Sequence, residues 1–233
     1  MTRSCPRWFP HRFLHRFPHR FPHRFPRRSF AAVSSVALLL ALALGGCSFT
    51  RPPPVKATFL LAPTFPEKIA KPQPGALRVG IVNVAGPFRD RSFVVRVGDL
   101  RYETDYYHEY VTPPAPMIAE ATSRALSRAH VFAHVAAPGT PGQADYVLDG
   151  FVTALYADQR ARGACKAVIV ISYYLSQADT GSGVPFWSQD YRRDTPCTSD
   201  SAESFASALN TGLSEILAKL STDLASAELP KAQ

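Results

Sequence analysis

The first 46 residues contain neither aspartate nor glutamate. The whole chain holds 26 Lys and Arg against 18 Asp and Glu, a net charge of +8. Eight of the basic residues precede Cys47: Arg3, Arg7, Arg12, Arg16, Arg20, Arg24, Arg27 and Arg28. From Cys47 onward 18 residues of each sign therefore remain. A basic surface for nucleic acid is excluded, because the surplus is confined to the leading segment. Beyond Cys47 no apolar run approaches the roughly 20 residues of a membrane-spanning helix. No G-x-x-x-x-G-K-[ST] loop occurs, so this chain does not hydrolyse ATP by that device. No serine sits in G-x-S-x-G, and His108-Glu109 lacks the second histidine of a zinc-protease helix. Cysteine is scarce: Cys5, Cys47, Cys165 and Cys197 are the only four.

The one long apolar run is Ala31–Cys47, AAVSSVALLLALALGGC. From Phe30 to Leu44 it spans 15 residues, too short for a transmembrane helix and right for the core of a signal peptide. It ends in Leu44-Gly45-Gly46-Cys47, which resembles a bacterial lipobox. Such a signal directs diacylglycerol to the Cys sulfur and cleavage just before it. Residues 1–46 then read as a lipoprotein signal peptide, and Cys47 as the first residue of a mature chain of 187 residues, ample for one domain with a core. Ser48, not Asp, follows, so the expected location is the outer membrane, facing the periplasm. The Phe-Pro-His-Arg repeat over residues 9–26 has no core-forming potential and reads as an overlong leading region. Its four histidines are not taken as a metal site.

Residues 47–57, with Pro52-Pro53-Pro54, read as a semi-rigid tether. Residues 58–226 read as the domain and 227–233 as a tail. Strands are expected at Thr58–Leu61, Leu77–Ala85, Ser92–Val97, Leu100–Glu103, Val131–Ala136, Tyr146–Ala157, Ala167–Gln177 and Pro185–Arg193. Residues 63–75, with four prolines, read as a loop. Thr112-Pro113 reads as a cap with Pro at the first helical position; Met117, Ile118, Ala121, Ala125, Leu126 and Ala129 follow at helical spacing. Asp200 with Glu203 reads as a capping box. The helix after it carries the stripe Phe205, Leu209, Leu213, Ile216, Leu217, Leu220 and Leu224. The economical fold is α+β: one mixed or antiparallel sheet with two amphipathic helices on one face.

Cys165 and Cys197 form an even pair in an oxidising compartment, which implies one disulfide. If the turn Asp179–Gly183 centres on Gly181, paired positions sum to 362, and Cys165 and Cys197 face each other. Directly opposed antiparallel residues stand about 4.5–5.5 Å apart, within disulfide range. Asp179-Thr180-Gly181 spells the aspartic-protease triplet, but that chemistry needs two such aspartates in a buried cleft. A single copy at a polar turn is turn chemistry. His130 and His134, four apart, would stand about 13 Å apart on a strand, too far to share a metal ion. No metal and no cofactor is expected. The tyrosines Tyr102, Tyr106, Tyr107 and Tyr110 read either as cover for the junction between hairpin and helix or as an interface, since Tyr offers large contact area with a polar end.

Pro87–Leu126, with its VVR hairpin, Tyr-rich DYYHEY run and Pro-started helix, resembles the ABC-type transport auxiliary lipoprotein family, the PqiC-like group. Phe59-Leu60-Leu61-Ala62-Pro63, Leu77-Arg78-Val79, Asp145–Gly150 and Leu209-Asn210 fit the same resemblance. It implies a non-enzymatic, outer-membrane-anchored periplasmic subunit. Its partners are then an MCE-domain protein and the ABC permease and ATPase of a lipid-transport system, with the tyrosines as a contact to the MCE protein or to a second copy. The Cys165–Cys197 pair and the Phe-Pro-His-Arg repeat depart from the family. An alternative of the same outline is an outer-membrane assembly lipoprotein or one that activates a cell-wall synthase. A periplasmic hydrolase is disfavoured by the missing nucleophile constellation. The anchor is tested by intact mass. The protein recovered from membranes starts at Cys47 with acyl chains attached, and Cys47→Ala abolishes the added mass. An unmodified Cys47 in wild type refutes the lipobox.

Overall fold

The computed structural model describes residues 55–140, 143–161, 163–178 and 184–230. The expected signal peptide, Cys47, most of the expected tether and the expected Asp179–Gly183 turn lie outside them. Eight strands form one sheet: β1 (Ala57–Phe59), β2 (Gln73–Val84), β3 (Ser92–Arg96), β4 (Tyr102–Tyr110), β5 (Phe132–Ala136), β6 (Tyr146–Asp158), β7 (Lys166–Gln177) and β8 (Trp187–Pro196). Two helices accompany them, α1 (Pro114–Ala129) and α2 (Ala202–Ala225). This is the expected α+β class with a mixed sheet.

Strand β6 is the spine. Along one edge it pairs antiparallel with β7 over its whole length, and β7 pairs antiparallel with β8. Its other edge is divided between two parallel partners. β2 takes the first part, from Leu77↔Tyr146 to Val84↔Val152, and β3 the last, at Val95↔Ala157 and Arg96↔Asp158. Between them the chain steps aside in the 3-10 turn Gly86–Phe88. β5 extends the sheet beyond β2, and β4 with β1 extends it beyond β3.

β2 is bulged twice, and each bulge is satisfied by a carboxylate from the segment Asp145–Gly150. Asp145 Oδ2 accepts the Ala76 N–H at 2.7 Å, and Asp149 Oδ1 accepts the Ile81 N–H at 2.7 Å. A backbone N–H freed from the ladder needs such a partner. The close approach requires glycine: a Cβ at Gly80 would stand 2.2 Å from Asp149 Oδ1. The segment 63–75, expected as loop, therefore joins the sheet from Gln73 onward. Gln73 also works at long range. Its Nε2 donates to the carbonyls of Leu224, Ala225 and Ala227 and so caps the C-terminus of α2.

Both helices lie on one sheet face, and two tyrosines on that face bind them. The Tyr173 hydroxyl meets Thr122 Oγ1 of α1 at 2.8 Å, and the Tyr191 hydroxyl donates to Asp223 of α2 at 2.9 Å. Burial pushes the Tyr173 hydroxyl up to about 12. All seven apolar side chains of the α2 stripe are buried, as are the six of α1. Each Leu, Ile, Met and Phe among them contributes on the order of 1.5–3 kcal/mol relative to exposure, gross of ordering entropy, and each Ala less. The helix starts differ from expectation. Pro114 follows Pro113 and forces it to an extended ψ of 145°, so Pro113 is the cap and Pro114 the first helical residue. Ser201, not Asp200, caps α2, its Oγ accepting the Ser204 N–H at 3.2 Å. Glu203 then sits at the second helical position, where no capping box forms. Its own N–H and the Ser201 hydroxyl hold its carboxyl below the usual range.

A strap ties the start of the domain to α2. Asn210 Oδ1 accepts the Ala62 N–H at 2.7 Å, Asn210 Nδ2 donates to the Leu60 carbonyl at 3.4 Å, and Ser214 Oγ accepts the Thr64 N–H at 2.9 Å. The segments Phe59–Pro63 and Leu209-Asn210, distant in sequence, thus meet in space.

The β7–β8 register runs from Lys166↔Pro196 to Leu175↔Trp187, so every pair sums to 362. Cys165 and Cys197 lie one step beyond, 5.2 Å apart at Cα and joined as a disulfide, with the Cys197 N–H donating to the Cys165 carbonyl at 2.9 Å. Closing this loop, 32 residues in sequence separation, stabilises by about 3.5–4 kcal/mol in the chain-entropy model. We predict that non-reducing peptide mapping joins Cys165 to Cys197. We also predict that the Cys165→Ser/Cys197→Ser double variant unfolds at lower denaturant with the register intact. Equal stability of the two proteins contradicts this.

Candidate functional site

The expected tyrosine cluster is divided by the geometry of β4. That strand was expected only at Leu100–Glu103, because the run Asp105–His108 breaks the alternation. The structure shows why: Val94 pairs with Thr104 but Ser92 with Glu109, so four residues of β4 stand against Phe93 alone. Asp105 closes this bulge. Its Oδ1 accepts the N–H groups of Tyr107 and His108 at 2.8 and 3.1 Å, and its Oδ2 pairs with His108 Nδ1 at 2.6 Å.

Tyr106 and Tyr107 ride on the bulge, ring edge against ring face at 5.2 Å, and both are exposed. Lys56 Nζ stands 4.3 Å over the Tyr106 ring. Tyr102 lies on the opposite sheet face from the helices, half-covered by Phe88 and Tyr156, with Arg96 stacked on Tyr102 and Tyr156. Tyr110 is 3% exposed and packs edge to face on Phe93 at 4.7 Å. Burial raises its hydroxyl far above the ordinary tyrosine value. Tyr110 is therefore core and drops out of the expected interface, because it returns to the regular ladder where β1 pairs at Phe59↔Tyr110.

β4 begins at the β3–β4 turn, beyond the Arg96↔Tyr102 pair. Leu100 at its tip is 96% exposed. Arg160 bridges Asp99 at 3.1 Å and Asp158 at 2.8 Å and holds the Asp158 carboxyl below the usual range. A neighbouring cleft of about 240 Å³ is lined by Phe93, Asp105, His108, Ser201, Glu203 and Phe205 among others. It brings an Asp–His pair near a serine, but that serine is occupied. Ser201 accepts from the Ser204 N–H and its hydroxyl serves the Glu203 carboxylate. The arrangement caps a helix and does not present an activated nucleophile.

Among the described residues no group of three or more His, Cys, Asp or Glu could hold a metal ion. His130 ends α1 in the left-handed conformation, φ 53°, and His134 lies in β5. Cys47, the expected lipid site, lies outside the described residues.

The fold defines an α+β domain whose branched mixed sheet carries both helices on one face. Solved structures share it. A Xanthomonas campestris protein of the DUF330 family is 18% identical, with a TM-score of 0.64, over 71% of this chain and 92% of that one. An uncharacterized protein is 17% identical, with a TM-score of 0.58, over 73% and 99%. The PelC dodecamer of Paraburkholderia phytofirmans reaches a TM-score of only 0.33 at 18% identity, over 72% and 92%, too low to bear on assembly. No curated protein matches the chain. Residues 59–221 match the family described as ABC-type transport auxiliary lipoprotein component, and the chain belongs to that family. The family names a transport component and not a class of enzyme.

The tyrosines are separable by stability. We predict that Tyr110→Ala costs about 3 kcal/mol, the range of a large buried side chain. Tyr106→Ala and Tyr107→Ala stay within about 0.5 kcal/mol of wild type, as surface substitutions do. Denaturant titration of the three variants is the measurement. Equal losses in all three contradict the division.

Proposed function

We propose that this chain is a non-enzymatic, lipid-anchored subunit of an ABC/MCE-type envelope lipid-transport system. It docks the assembly at the periplasmic side of the outer membrane, with an MCE-domain protein and the ABC permease and ATPase as partners. The observation that carries the reading is the family match over residues 59–221. The lipobox at Leu44–Cys47 and the Ser48 that follows support the anchor and its membrane.

The fold is consistent with docking and not with carriage. Both amphipathic helices are spent on the chain's own sheet, and their apolar stripes are buried. Clefts of about 200 to 360 Å³ occur among the described residues, at or below the small end for drug-sized ligands, and a phospholipid with two acyl chains is far larger. No described helix is long and apolar enough to cross a membrane. The chain therefore acts through surfaces and its anchor, and the lipid path belongs to its partners.

Affinity purification from detergent-solubilised membranes tests this. The expected result is recovery of the MCE-domain protein and permease with the wild-type chain. Recovery of outer-membrane assembly factors or a cell-wall synthase, with no MCE protein, replaces this reading with the alternative.

A further inference from the structure

β1 runs parallel to β4, with Ala57 opposite His108. Followed backward from Ala57, the chain runs beside β4 towards its first residue, and so towards the β3–β4 turn. Val55 and Lys56 consequently lie at the tyrosine bulge, as the 4.3 Å contact of Lys56 with Tyr106 shows. The bulge beside the first described residues thus gathers exposed apolar groups, and Leu100 lies at the turn where β4 begins. Val55 is 88% exposed, Leu100 96% and Tyr106 68%, with exposed Tyr107 beside it. Lys56 lies there too, while Arg101 is paired with Glu103 at 2.7 Å and Asp99 with Arg160 at 3.1 Å.

Single exposed apolar residues are ordinary. Here Val55, Tyr106 and Tyr107 share the bulge, and β1 traced backward heads for the turn that carries Leu100. Eight steps separate Cys47 from Val55, a span of at most about 29 Å fully extended. A bilayer holding acyl chains on Cys47 is therefore always within reach of this end. Tyrosine suits the headgroup layer, because its ring is apolar and its hydroxyl is wet.

We propose that the end formed by Val55, Leu100, Tyr106 and Tyr107 rests on the phospholipid surface of the membrane that holds the Cys47 lipid. The inference rests on the anchored reading above and adds to it the orientation of the domain. Acyl chains alone hold the domain near the membrane but leave it free to tumble about its tether. A second contact directs the β3–β4 turn at the bilayer and leaves the helical face and the rest of the sheet for protein partners. Tyr106 and Tyr107 then serve the membrane, and not the MCE protein expected from the resemblance.

The test uses the lipidated full-length mature protein in vesicles of phosphatidylethanolamine and phosphatidylglycerol. Acylation is first read from intact mass. Single cysteines labelled with an environment-sensitive fluorophore replace Leu100, Tyr106 or, as a control on the open sheet face, Tyr174, with the native disulfide left intact. Brominated lipid is expected to quench the labels at 100 and 106 about two-fold, as shallow burial at the headgroup boundary implies, and to leave that at 174 unchanged. Tyr106→Ser/Tyr107→Ser is expected to reduce the quenching at 100. Acylated protein whose three labels respond alike overturns the docking and leaves the anchor standing. An unacylated Cys47 overturns both. Labels at 100 and 106 that are shielded by added MCE-domain protein and not by vesicles make the patch a protein contact, which also overturns the proposal.

Discussion

Strand β6 has one edge to give and two strands that need it. β2 and β3 pair with successive parts of that edge in the same direction, so the chain must leave the ladder between them, and it does so at Gly86–Phe88. This constraint decides the rest of the layout. β3 carries β4 and β1 away as a separate wing, while β2 carries β5. The wing on β3 is the one that the first described strand, β1, joins. Its aromatic bulge therefore stands beside the first described residues, while α1 packs on β2 and β5 and α2 on β7 and β8.

Where the ladder of the two wings is broken, short polar contacts take over the freed N–H groups. Asp145 and Asp149 take up the N–H groups that the β2 bulges release, and Asp105 does the same for the β4 bulge. Each net contribution is modest, on the order of 1 kcal/mol, but an unmet N–H would cost more than the bond contributes. Gly212 shows the same economy in the helical layer. A Cβ there would stand 2.9 Å from Thr195 Oγ1, so its absence lets α2 lie close on β8.

Local signals carried much of the fold. The α2 stripe at helical spacing and the summed position numbers across the β7–β8 turn were both legible, because each depends on neighbours a few residues apart or on one turn. The branching of β6 was not legible, since alternation marks a strand without naming its partners. The bulge in β4 broke the only pattern by which Tyr102–Tyr110 could have been read as a strand. That is why four tyrosines looked like one cluster while the structure sends Tyr110 inward and Tyr106 outward. Gln73 as a cap for α2 had no signal at all, because its partners lie 151 to 154 residues away. The pair Phe59–Pro63 and Leu209-Asn210 was noticed only through the family resemblance; the physical link is the Asn210 side chain.

The central claim is that this family member works as a membrane-anchored transport auxiliary, its anchor being as necessary as its fold. Complementation measures this most directly. In the source bacterium, deletion of the gene is expected to sensitise the envelope to detergent, and the wild-type chain to restore resistance. The same domain exported behind an ordinary cleavable signal, with Cys47→Ala and equal periplasmic abundance, is expected to fail. Full rescue by the unanchored domain, or unchanged permeability in the deletion strain, would contradict the account.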